Sequence, residues 1–355
     1  MSGERVVVAM SGGVDSSVAA AMLVERGDEA IGVTLHLAGA TSRCCSLDDA
    51  DDARRVAERL GIRFYVANYA DRFRQEVIEA FADAYLAGRT PIPCVTCNQR
   101  FKFDYLFERA RVFGSSRVAT GHYARVDRDP ETGLRRLRRA HDANKDQTYF
   151  LFGLDQAQLE AADFPLGDST KDEVRERARA LGLATADKPE SQEICFVPDG
   201  DCAAVVGRTR PGRLPGAGDV VDGEGRVLGR HDGIHHFTVG QRRGLGIAAE
   251  RRLYVTAIDA ARNRVVVGGE RELDAPVARV ERVHWIAGRP PQPGARASVR
   301  VRHRHEGASA TLEPGEHETR VHFDAPVRAV APGQAAVFYD GDVVLGGGWI
   351  AGPAS

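Results

Sequence analysis

A run of apolar, mostly β-branched residues near the start of the chain leads directly into a short loop of serine, glycine and aspartate. The run covers residues 6–10, the loop covers 11–17, and an apolar helical stretch covers 18–23. This order predicts a buried strand, a tight turn and a helix. Gly12 and Gly13 allow close approach of the main chain, and serine hydroxyls surround the positive end of the helix dipole. The loop is therefore suited to an anion, and phosphate is the expected ligand.

Two common nucleotide-binding loops do not match this string. It lacks the Gly-Lys-Ser/Thr ending of a Walker loop and the Gly-x-Gly-x-x-Gly spacing of a dinucleotide turn. The string Ser11-Gly12-Gly13-Val14-Asp15-Ser16 instead resembles the pyrophosphate loop of ATP pyrophosphatases, which adenylate an oxygen of their substrate and release pyrophosphate. An ordinary glycine-rich turn between a strand and a helix is the alternative.

Strands and helices alternate through the first part of the chain. The predicted strands are 29–37, 62–67 and 118–120, and the predicted helices are 47–60 and 71–86. A further helix should begin after an N-cap at Ser169 or Thr170 and end near Leu181. The alternation predicts a Rossmann-like α/β fold, with a parallel sheet covered on both faces. Since ligands bind beyond the carboxyl ends of such strands, Leu35 and Gly121 should flank an adenine through backbone contacts.

The composition and the predicted secondary structure of the chain change after Cys202. From Gly207 onward the chain is rich in glycine and proline and has short alternating stretches typical of β-strands: 220–228, 252–258, 264–267, 297–301 and 319–323. We therefore predict three domains. Residues 1–206 form the nucleotide-binding and catalytic domain, 207–273 a small central β-rich domain, and 274–355 a C-terminal β-barrel.

The composition is that of a folded chain of several domains. Of the 355 residues, 43% are hydrophobic and 28% are charged, with a formal net charge of −2. No apolar run is long enough to cross a bilayer and no signal peptide is evident, so we expect a cytoplasmic protein without a membrane partner. The chain carries 44 Arg but only four Lys. A lysine kept in such a chain can mark a site that needs a compact, mobile ammonium.

Six cysteines are present, in a chain whose size does not require disulfides. Cys94 and Cys97 precede a predicted helix that begins at Asn98, which favours reactive thiolates. Cys195 lies in an irregular stretch that predicts a loop. Together these three thiols would permit an iron–sulfur cluster with one open coordination position. The others are interpreted as small loop residues (Cys44 and Cys45) and a buried apolar side chain (Cys202).

Several strings, spread in order over almost the whole chain, resemble those of the tRNA-specific 2-thiouridylase family. They are residues 9–16, 97–103, 119–124, 145–151, 194–196 and 240–246. The resemblance implies an ATP- and Mg²⁺-dependent sulfurtransferase that adenylates the 2-oxygen of wobble uridine 34 in tRNA and replaces it with sulfur. AMP and pyrophosphate would be the other products.

The resemblance also implies a set of site residues. Cys195 would carry the incoming sulfur as a persulfide, Cys97 would act as the nucleophile, and a transient Cys97–Cys195 disulfide would form. ATP would contact Leu35, Gly121 and the loop residues Ala9, Met10, Ser11, Gly12, Gly13, Val14, Asp15 and Ser16. The tRNA would contact His122, Lys145, Asp146, Gln147, Arg242, Arg243, Arg302, His303 and Gln334.

The implied partners follow from the same resemblance. They are wobble-uridine tRNAs of the Lys, Glu and Gln type, a cysteine desulfurase or sulfur-relay protein as sulfur donor, and a thiol reductant. The chain departs from the family at Ile92-Pro93-Cys94, where many members resemble Asn-Pro-Asp. This removes a carboxylate that could act as a base or ligand, and adds a thiol.

Three other functions stay open from the sequence. The first is another adenylating enzyme, a ligase that transfers ammonia and needs no cysteine pair. The second is a thiolase that depends on a [4Fe-4S] cluster held by Cys94, Cys97 and Cys195. The third is a tRNA-binding protein that is regulated by nucleotide and catalyses no reaction.

Overall fold

The computed structural model describes residues 3–37, 47–189, 194–197 and 199–354. Its N-terminal strands are β1 (Arg5–Ala9), β2 (Glu29–His36), β3 (Arg63–Asn68), β4 (Arg117–Ala119), β5 (Ala124–Arg128), β6 (Arg135–Arg139) and β7 (Ala162–Asp163). Five of these strands form a parallel sheet in the order β3-β2-β1-β4-β7. The predicted parallel sheet is therefore confirmed, and the strand that opens the chain lies at its centre.

Helices pack on both faces of this sheet. The uninterrupted α-helices are α1 (Val14–Glu25), α2 (Leu47–Leu60), α5 (Gln156–Ala161), α6 (Lys171–Ala180) and α7 (Cys202–Thr209). Two further helices each consist of three consecutive segments. They are α3 (Ala70–Phe73, Arg74–Glu79 and Ala80–Leu86) and α4 (Pro93–Thr96, Cys97–Tyr105 and Leu106–Val112). Successive side chains of a strand point to opposite faces. Accordingly, Val6 and Val8 pack with residues of α1, α2 and α6, whereas Val7 packs with residues of α3 and α4.

The central segments of α3 and α4 have π-helical hydrogen bonding. The predicted helix over about 71–86 is confirmed, since α3 covers 70–86, and the structure adds a π segment at residues 74–79. The sequence predicted a helix that begins at Asn98, but α4 begins at Pro93. Proline is favoured at the first helical position, where its missing N–H is not needed. By contrast, α6 has the predicted cap, since Thr170 and Glu173 form a capping box.

The middle region forms a small sheet of its own. Its strands are β8 (Gly218–Val221), β9 (Val227–His231), β10 (Tyr254–Asp259) and β11 (Arg264–Gly268), in the order β10-β11-β8-β9. The predicted strand at 220–228 is therefore two strands with a turn between them. Val220, Val255 and Val265 lie in the core of this sheet, and all three side chains are fully buried.

The C-terminal region forms a closed barrel. Its strands are β12 (Asp274–Trp285), β13 (Ala295–Arg300), β14 (Ala308–Pro314), β15 (Glu318–Arg328), β16 (Ala335–Asp340) and β17 (Val343–Ala354). Their order is β12-β15-β14-β13-β16-β17, and an antiparallel pairing of β12 with β17 closes the barrel. Together with the parallel sheet and the middle sheet, this barrel confirms the predicted fold class.

The β5–β6 hairpin connects the N-terminal region to the barrel. It belongs to the N-terminal half of the sequence, yet β6 pairs with β17 through Arg138 and Val343. Leu137 of the hairpin shares a hydrophobic cluster with Tyr149 and with Val337 and Tyr339 of β16. The N-terminal region and the barrel are thus joined by a common sheet and a common core. No helix within the described residues is long and apolar enough to span a membrane.

Candidate functional site

The loop between β1 and α1 is held by its own serine hydroxyls. The Ser11 N–H donates to Ser16 Oγ at 3.1 Å, and the Ser16 and Ser17 hydroxyls donate to the Gly13 carbonyl at 3.1 and 2.8 Å. Gly13 is the N-cap of α1, with φ −98° and ψ 164°, and no described side chain caps this helix. Since the first N–H groups of a helix have no acceptor within it, the start of α1 offers donors and a positive dipole to an anion.

Two glycines allow neighbouring segments to approach this loop. Gly12 has φ +69°, and a Cβ there would lie 2.2 Å from the Asp49 carbonyl of α2. A Cβ at Gly121, after β4, would lie 2.7 Å from the Ser16 nitrogen. Leu35 is buried near the end of β2, the neighbour of β1. The structure thus brings Gly121 against the loop and Leu35 to an adjacent strand, and their contact with adenine stays a prediction.

Asp15, in the first turn of α1, is held by two side chains from later in the chain. Its Oδ1 accepts from the Tyr123 hydroxyl at 2.9 Å and from Lys171 Nζ at 2.7 Å. Lys171 begins α6, and its side chain is only 9% exposed. Sequence reasoning did not select either partner. The rarity of lysine in the chain was the one available signal for Lys171.

Cys97 and Cys195 are 98 positions apart, yet both pack against the hydrophobic cluster on the α3–α4 face of the sheet. Phe196 holds the neighbouring Cys195 against this cluster, because the centroid of its ring lies 6.0 Å from that of Phe73 and 5.2 Å from that of Phe81. Both cysteines are half-buried thiols. The structure therefore brings to one core cluster the two cysteines that the sequence predicts to react together.

Cys94 lies in the first turn of α4, in the segment Pro93–Thr96, whereas Cys97 begins the π segment. Because α4 starts earlier than predicted, Cys94 is closer than Cys97 to the positive end of the helix dipole. Cys202 begins α7 and packs beside Tyr85. Burial, followed by the nearby Cys202 thiol, raises the pKa of the Tyr85 hydroxyl. Cys44 and Cys45 lie outside the described residues.

His122 is buried beside α4, the helix that contains Cys94 and Cys97. Its Nδ1 lies 2.7 Å from Thr120 Oγ1, and its Nε2 lies 3.1 Å from Asn98 Oδ1 and 3.4 Å from Lys102 Nζ. Burial, assisted by the charge of Lys102, lowers the pKa of His122 well below its ordinary value of 6.5. The imidazole is therefore neutral at pH 7 and packs between Phe103 and Phe164. Its predicted contact with tRNA stays a prediction.

The other residues predicted to contact tRNA fall into two groups. Asp146 is buried and accepts from Arg300 Nη1 at 3.1 Å, and the Gln334 amide donates to the Thr90 carbonyl at 3.0 Å. In the structure both of these residues bond the barrel to the N-terminal region. Lys145 and Gln147 are half-buried, and the exposed group comprises Arg242, Arg243, Arg302 and His303. Contact of all of them with tRNA stays a prediction.

A metal site needs several His, Cys, Asp or Glu side chains that lie close together. Within the described part of the chain, no three His, Cys, Asp or Glu side chains are grouped so that they could hold a metal ion. Ligation of an iron–sulfur cluster by Cys94, Cys97 and Cys195 stays a prediction. The candidate site is a phosphate-binding loop and a pair of thiols on one parallel sheet.

Three family models match successive parts of the chain. A tRNA methyl transferase HUP domain matches residues 4–199, a tRNA methyl transferase PRC-barrel domain matches 212–269, and an aminomethyltransferase β-barrel domain matches 277–350. Among solved structures, the U34-tRNA thiolase NcsA from Methanococcus maripaludis is 19% identical, with a TM-score of 0.37. That match covers 59% of this chain and 67% of the other, and at this level it carries no functional information.

Curated relatives match over nearly the full length. A protein from Acidobacterium capsulatum named tRNA-specific 2-thiouridylase MnmA is 52% identical, covering 97% of this chain and 98% of the relative. Proteins of the same name from Solibacter usitatus and Rhodospirillum rubrum are 50% and 51% identical, covering 98% of this chain and 99% and 96% of theirs. Identity of about half over 97–98% of the chain shows that it belongs to the tRNA-specific 2-thiouridylase (MnmA) family.

Proposed function

We propose that this protein is an ATP-dependent tRNA 2-thiouridylase that converts wobble uridine 34 to 2-thiouridine. The observation that carries the proposal is the packing of Cys97 and Cys195 against one cluster of the sheet that also bears the anion-binding loop. A ligase that transfers ammonia would need the loop but not the thiols. The relatives named 2-thiouridylase, at up to 52% identity over 97% of the chain, support the same activity.

In the first step the uridine 2-oxygen attacks the α-phosphate of ATP and pyrophosphate leaves. The N–H groups at the start of α1 are suited to stabilise the charge that develops on the phosphates, because they have no acceptor within the helix. Asp15, at the start of α1, supplies a carboxylate of the kind that Mg²⁺ binds, and the ion would neutralise phosphate charge there. Lys171 and Tyr123 keep this carboxylate in a fixed position.

In the second step sulfur replaces the activated oxygen. Cys195 carries a persulfide, and the Cys97 thiolate attacks the Cys195 sulfur, so that a Cys97–Cys195 disulfide forms and hydrosulfide leaves. Hydrosulfide attacks C2 of the adenylated uridine, and AMP departs with the former 2-oxygen. An external thiol reductant supplies two electrons to restore both thiols, and a cysteine desulfurase or sulfur-relay protein reloads Cys195.

The proposed mechanism does not include an iron–sulfur cluster. The steps above need only Cys97 and Cys195, whereas a thiolase with a cluster held by Cys94, Cys97 and Cys195 would need iron. The replacement of a family carboxylate by Cys94 removes one possible base near the uridine. His122, which is neutral and lies beside Asn98 and Lys102, is another polar group close to α4.

Binding of tRNA is proposed to use the three domains together, with boundaries at residues 206/207 and 273/274. Exposed arginines of the middle region and the barrel, including Arg242, Arg243 and Arg302, supply positive charge for the phosphate backbone. The proposed substrates are tRNAs with a wobble uridine of the Lys, Glu and Gln type.

The experiment is an anaerobic thiolation assay with purified protein, ATP, Mg²⁺, tRNA and a sulfide or persulfide donor. Nucleosides are identified by mass spectrometry, pyrophosphate is measured, and iron is assayed on the same sample. We expect 2-thiouridine from iron-free protein. Thiouridine only after reconstitution with iron and sulfide would contradict the proposed two-cysteine mechanism. Retained tRNA binding without tRNA-dependent pyrophosphate release would instead indicate a binding protein.

Cysteine variants separate the chemical steps. We expect C97S and C195S to bind tRNA and release pyrophosphate but form no 2-thiouridine with a persulfide donor. C202S is the matched control, since Cys202 packs in a different cluster, and it should retain activity. Full thiolation by C195S would refute the persulfide role. Ammonia transfer that survives both substitutions would support the ligase alternative.

A further inference from the structure

Lys188 lies at the back of the anion-binding loop and contacts three oxygen atoms. Its Nζ donates to the Gly12 carbonyl at 3.0 Å, to Asp49 Oδ1 at 2.8 Å and to Asp52 Oδ2 at 2.6 Å. The carbonyl belongs to the loop, and both carboxylates belong to α2. One ammonium thus joins the loop, the adjacent helix and the segment that leads, seven residues later, to Cys195.

The contact with Gly12 fixes the direction of the next N–H group. In a trans peptide the carbonyl and the N–H that share the peptide plane point in opposite directions, and the described chain contains no cis peptide bond. A Gly12 carbonyl directed at Lys188 therefore turns the Gly13 N–H away from Lys188. The positive φ of Gly12 and its close approach to the Asp49 backbone leave little freedom for another arrangement.

The charge at this junction also bears on an anionic ligand. Asp49 is 13% exposed and Asp52 is 25% exposed, so their negative charges are only partly screened by water. Without a cation between them they would raise the cost of binding a polyphosphate at the adjacent loop. Burial lowers the pKa of Lys188, but its hydrogen bonds to Asp49 and Asp52 and the negative charges of these carboxylates together raise the pKa above 10.5. The ammonium is therefore charged at neutral pH.

The geometry explains why this position is a lysine in a chain with 44 Arg and four Lys. An ammonium has three donors on one atom, and here three oxygens converge on that atom. A guanidinium is a flat fork that pairs well with one carboxylate but cannot bring three donors to a single point. An arginine would keep the charge and lose the arrangement.

We propose that Lys188 is a positioning residue for the nucleotide, an internal cation that sets the direction of the loop backbone and offsets part of the negative charge of Asp49 and Asp52. This inference rests on the proposed function, since it assumes that the loop binds ATP. Lys188 itself contacts neither phosphate nor uridine. It acts through Gly12 and through the charge of α2.

The test measures binding of α,β-methylene-ATP to the full-length protein by calorimetry. We expect the Kd to rise at least tenfold in K188M and K188A, with tRNA binding unchanged, and K188R to remain at least tenfold weaker than the wild type. Ethylammonium should restore binding to K188A but not affect the wild type. Adding D49N and D52N to K188M removes both negative charges and should recover part of the loss.

Controls separate this inference from the proposed function and from misfolding. R179A removes a nearby exposed ion pair with Asp187 and should bind the nucleotide like the wild type. Circular dichroism melts show which variants are folded. If the wild type does not bind nucleotide, the proposed function fails. If the wild type binds and K188M or K188R binds equally well, the positioning role is refuted. It is also refuted if neither the amine nor the amide substitutions improve binding.

Discussion

Two ionic clusters in this molecule join distant parts of the chain, and they are built in opposite ways. At the loop, the single ammonium of Lys188 contacts three oxygens. At the β5–β6 hairpin, several arginines and carboxylates form a connected ladder that also reaches the β16–β17 turn. The members of this arginine ladder are Arg125, Arg136, Arg138, Asp127, Asp129 and Asp342.

The two clusters differ in redundancy. Asp127 is paired with both Arg136 and Arg138, and Asp342 is paired with both Arg138 and Arg125. Loss of one of these arginines therefore leaves Asp127 and Asp342 each with another partner. Loss of Lys188 removes all three of its contacts together, although Asp52 keeps its ion pair with the exposed Arg55, at 3.3 Å. We infer that contacts held by one group control geometry, whereas a ladder holds two regions together and tolerates substitutions.

Substitution of one partner in the buried ion pair of Asp146 and Arg300 should cause the largest loss of stability among these variants. Their side chains are 3% and 11% exposed, and the pair joins the N-terminal region to the barrel. Removing one partner of a buried ion pair costs about 3–5 kcal/mol because the other charge stays buried. We expect D146A to lower the free energy of unfolding by about 3 kcal/mol, measured by urea denaturation.

The matched variant D146N keeps an acceptor for the Thr148 hydroxyl, which donates to Asp146 Oδ1 at 2.8 Å, and should lose less stability than D146A. A loss below about 1 kcal/mol in D146A would contradict the buried-pair interpretation. If D146N folds normally but binds tRNA much more weakly than the wild type, the predicted tRNA contact of Asp146 gains support.

Gly12 provides the next test, because the loop has no room for a side chain there. Its φ of +69° disfavours other residues, and a Cβ would lie 2.2 Å from the Asp49 carbonyl. The left-handed conformation alone costs about 1–2 kcal/mol. We expect G12A to lower the free energy of unfolding by about 2 kcal/mol and to abolish nucleotide binding.

G13A is the control for this substitution. Gly13 has φ −98°, and among the residues that the structure describes a Cβ there would meet the Ser11 hydroxyl alone, at 3.6 Å. The folded protein should tolerate it, with a melting temperature close to that of the wild type. Equal destabilisation by G12A and G13A would show that the approach of α2 to the loop does not restrict Gly12.

The sequence was informative where local chemistry determines the structure. The string 11–16 predicted the strand, loop and helix, and the predicted helix at 47–60 has the bounds of α2. The Thr170 cap was recognisable because its partner Glu173 is three residues away. In each of these cases the deciding contacts lie within a few residues of one another.

Other features depend on contacts between distant segments. Val343 pairs with Arg138 from 205 positions earlier, so the attachment of the β5–β6 hairpin to the barrel left no local pattern. The contacts of Lys171 with Asp15 and of Lys188 with Asp49 likewise cross more than 100 residues. The π segments of α3 and α4 arise without any glycine or proline inside them, so no residue type marked them.

A substitution within the arginine ladder should have a smaller effect than either of the changes above. R138M removes contacts with Asp127 and Asp342, but Arg136 and Arg125 still pair with them. We expect the free energy of unfolding to fall by about 1 kcal/mol or less, by urea denaturation. R125M combined with R138M leaves Asp342 without either partner and should cost more than the sum of the single changes. Strict additivity would contradict redundancy.

The smallest expected effect is the pH dependence that Asp127 contributes to the ladder. The hydrogen bond from Arg136, and then that from Arg138, hold its pKa at about 2, below the ordinary 3.8. Because the folded-state pKa is the lower one, the stabilisation is fully present above pH 4 and is lost as the pH falls towards 2. The side chain is 36% exposed, so solvent screening should keep the contribution below about 1 kcal/mol. The measurement is the difference in unfolding free energy between the wild type and D127N, which should shrink between pH 5 and pH 2. A difference that stays constant over this range would show that the ladder holds the hairpin by geometry and packing rather than by the charge of Asp127.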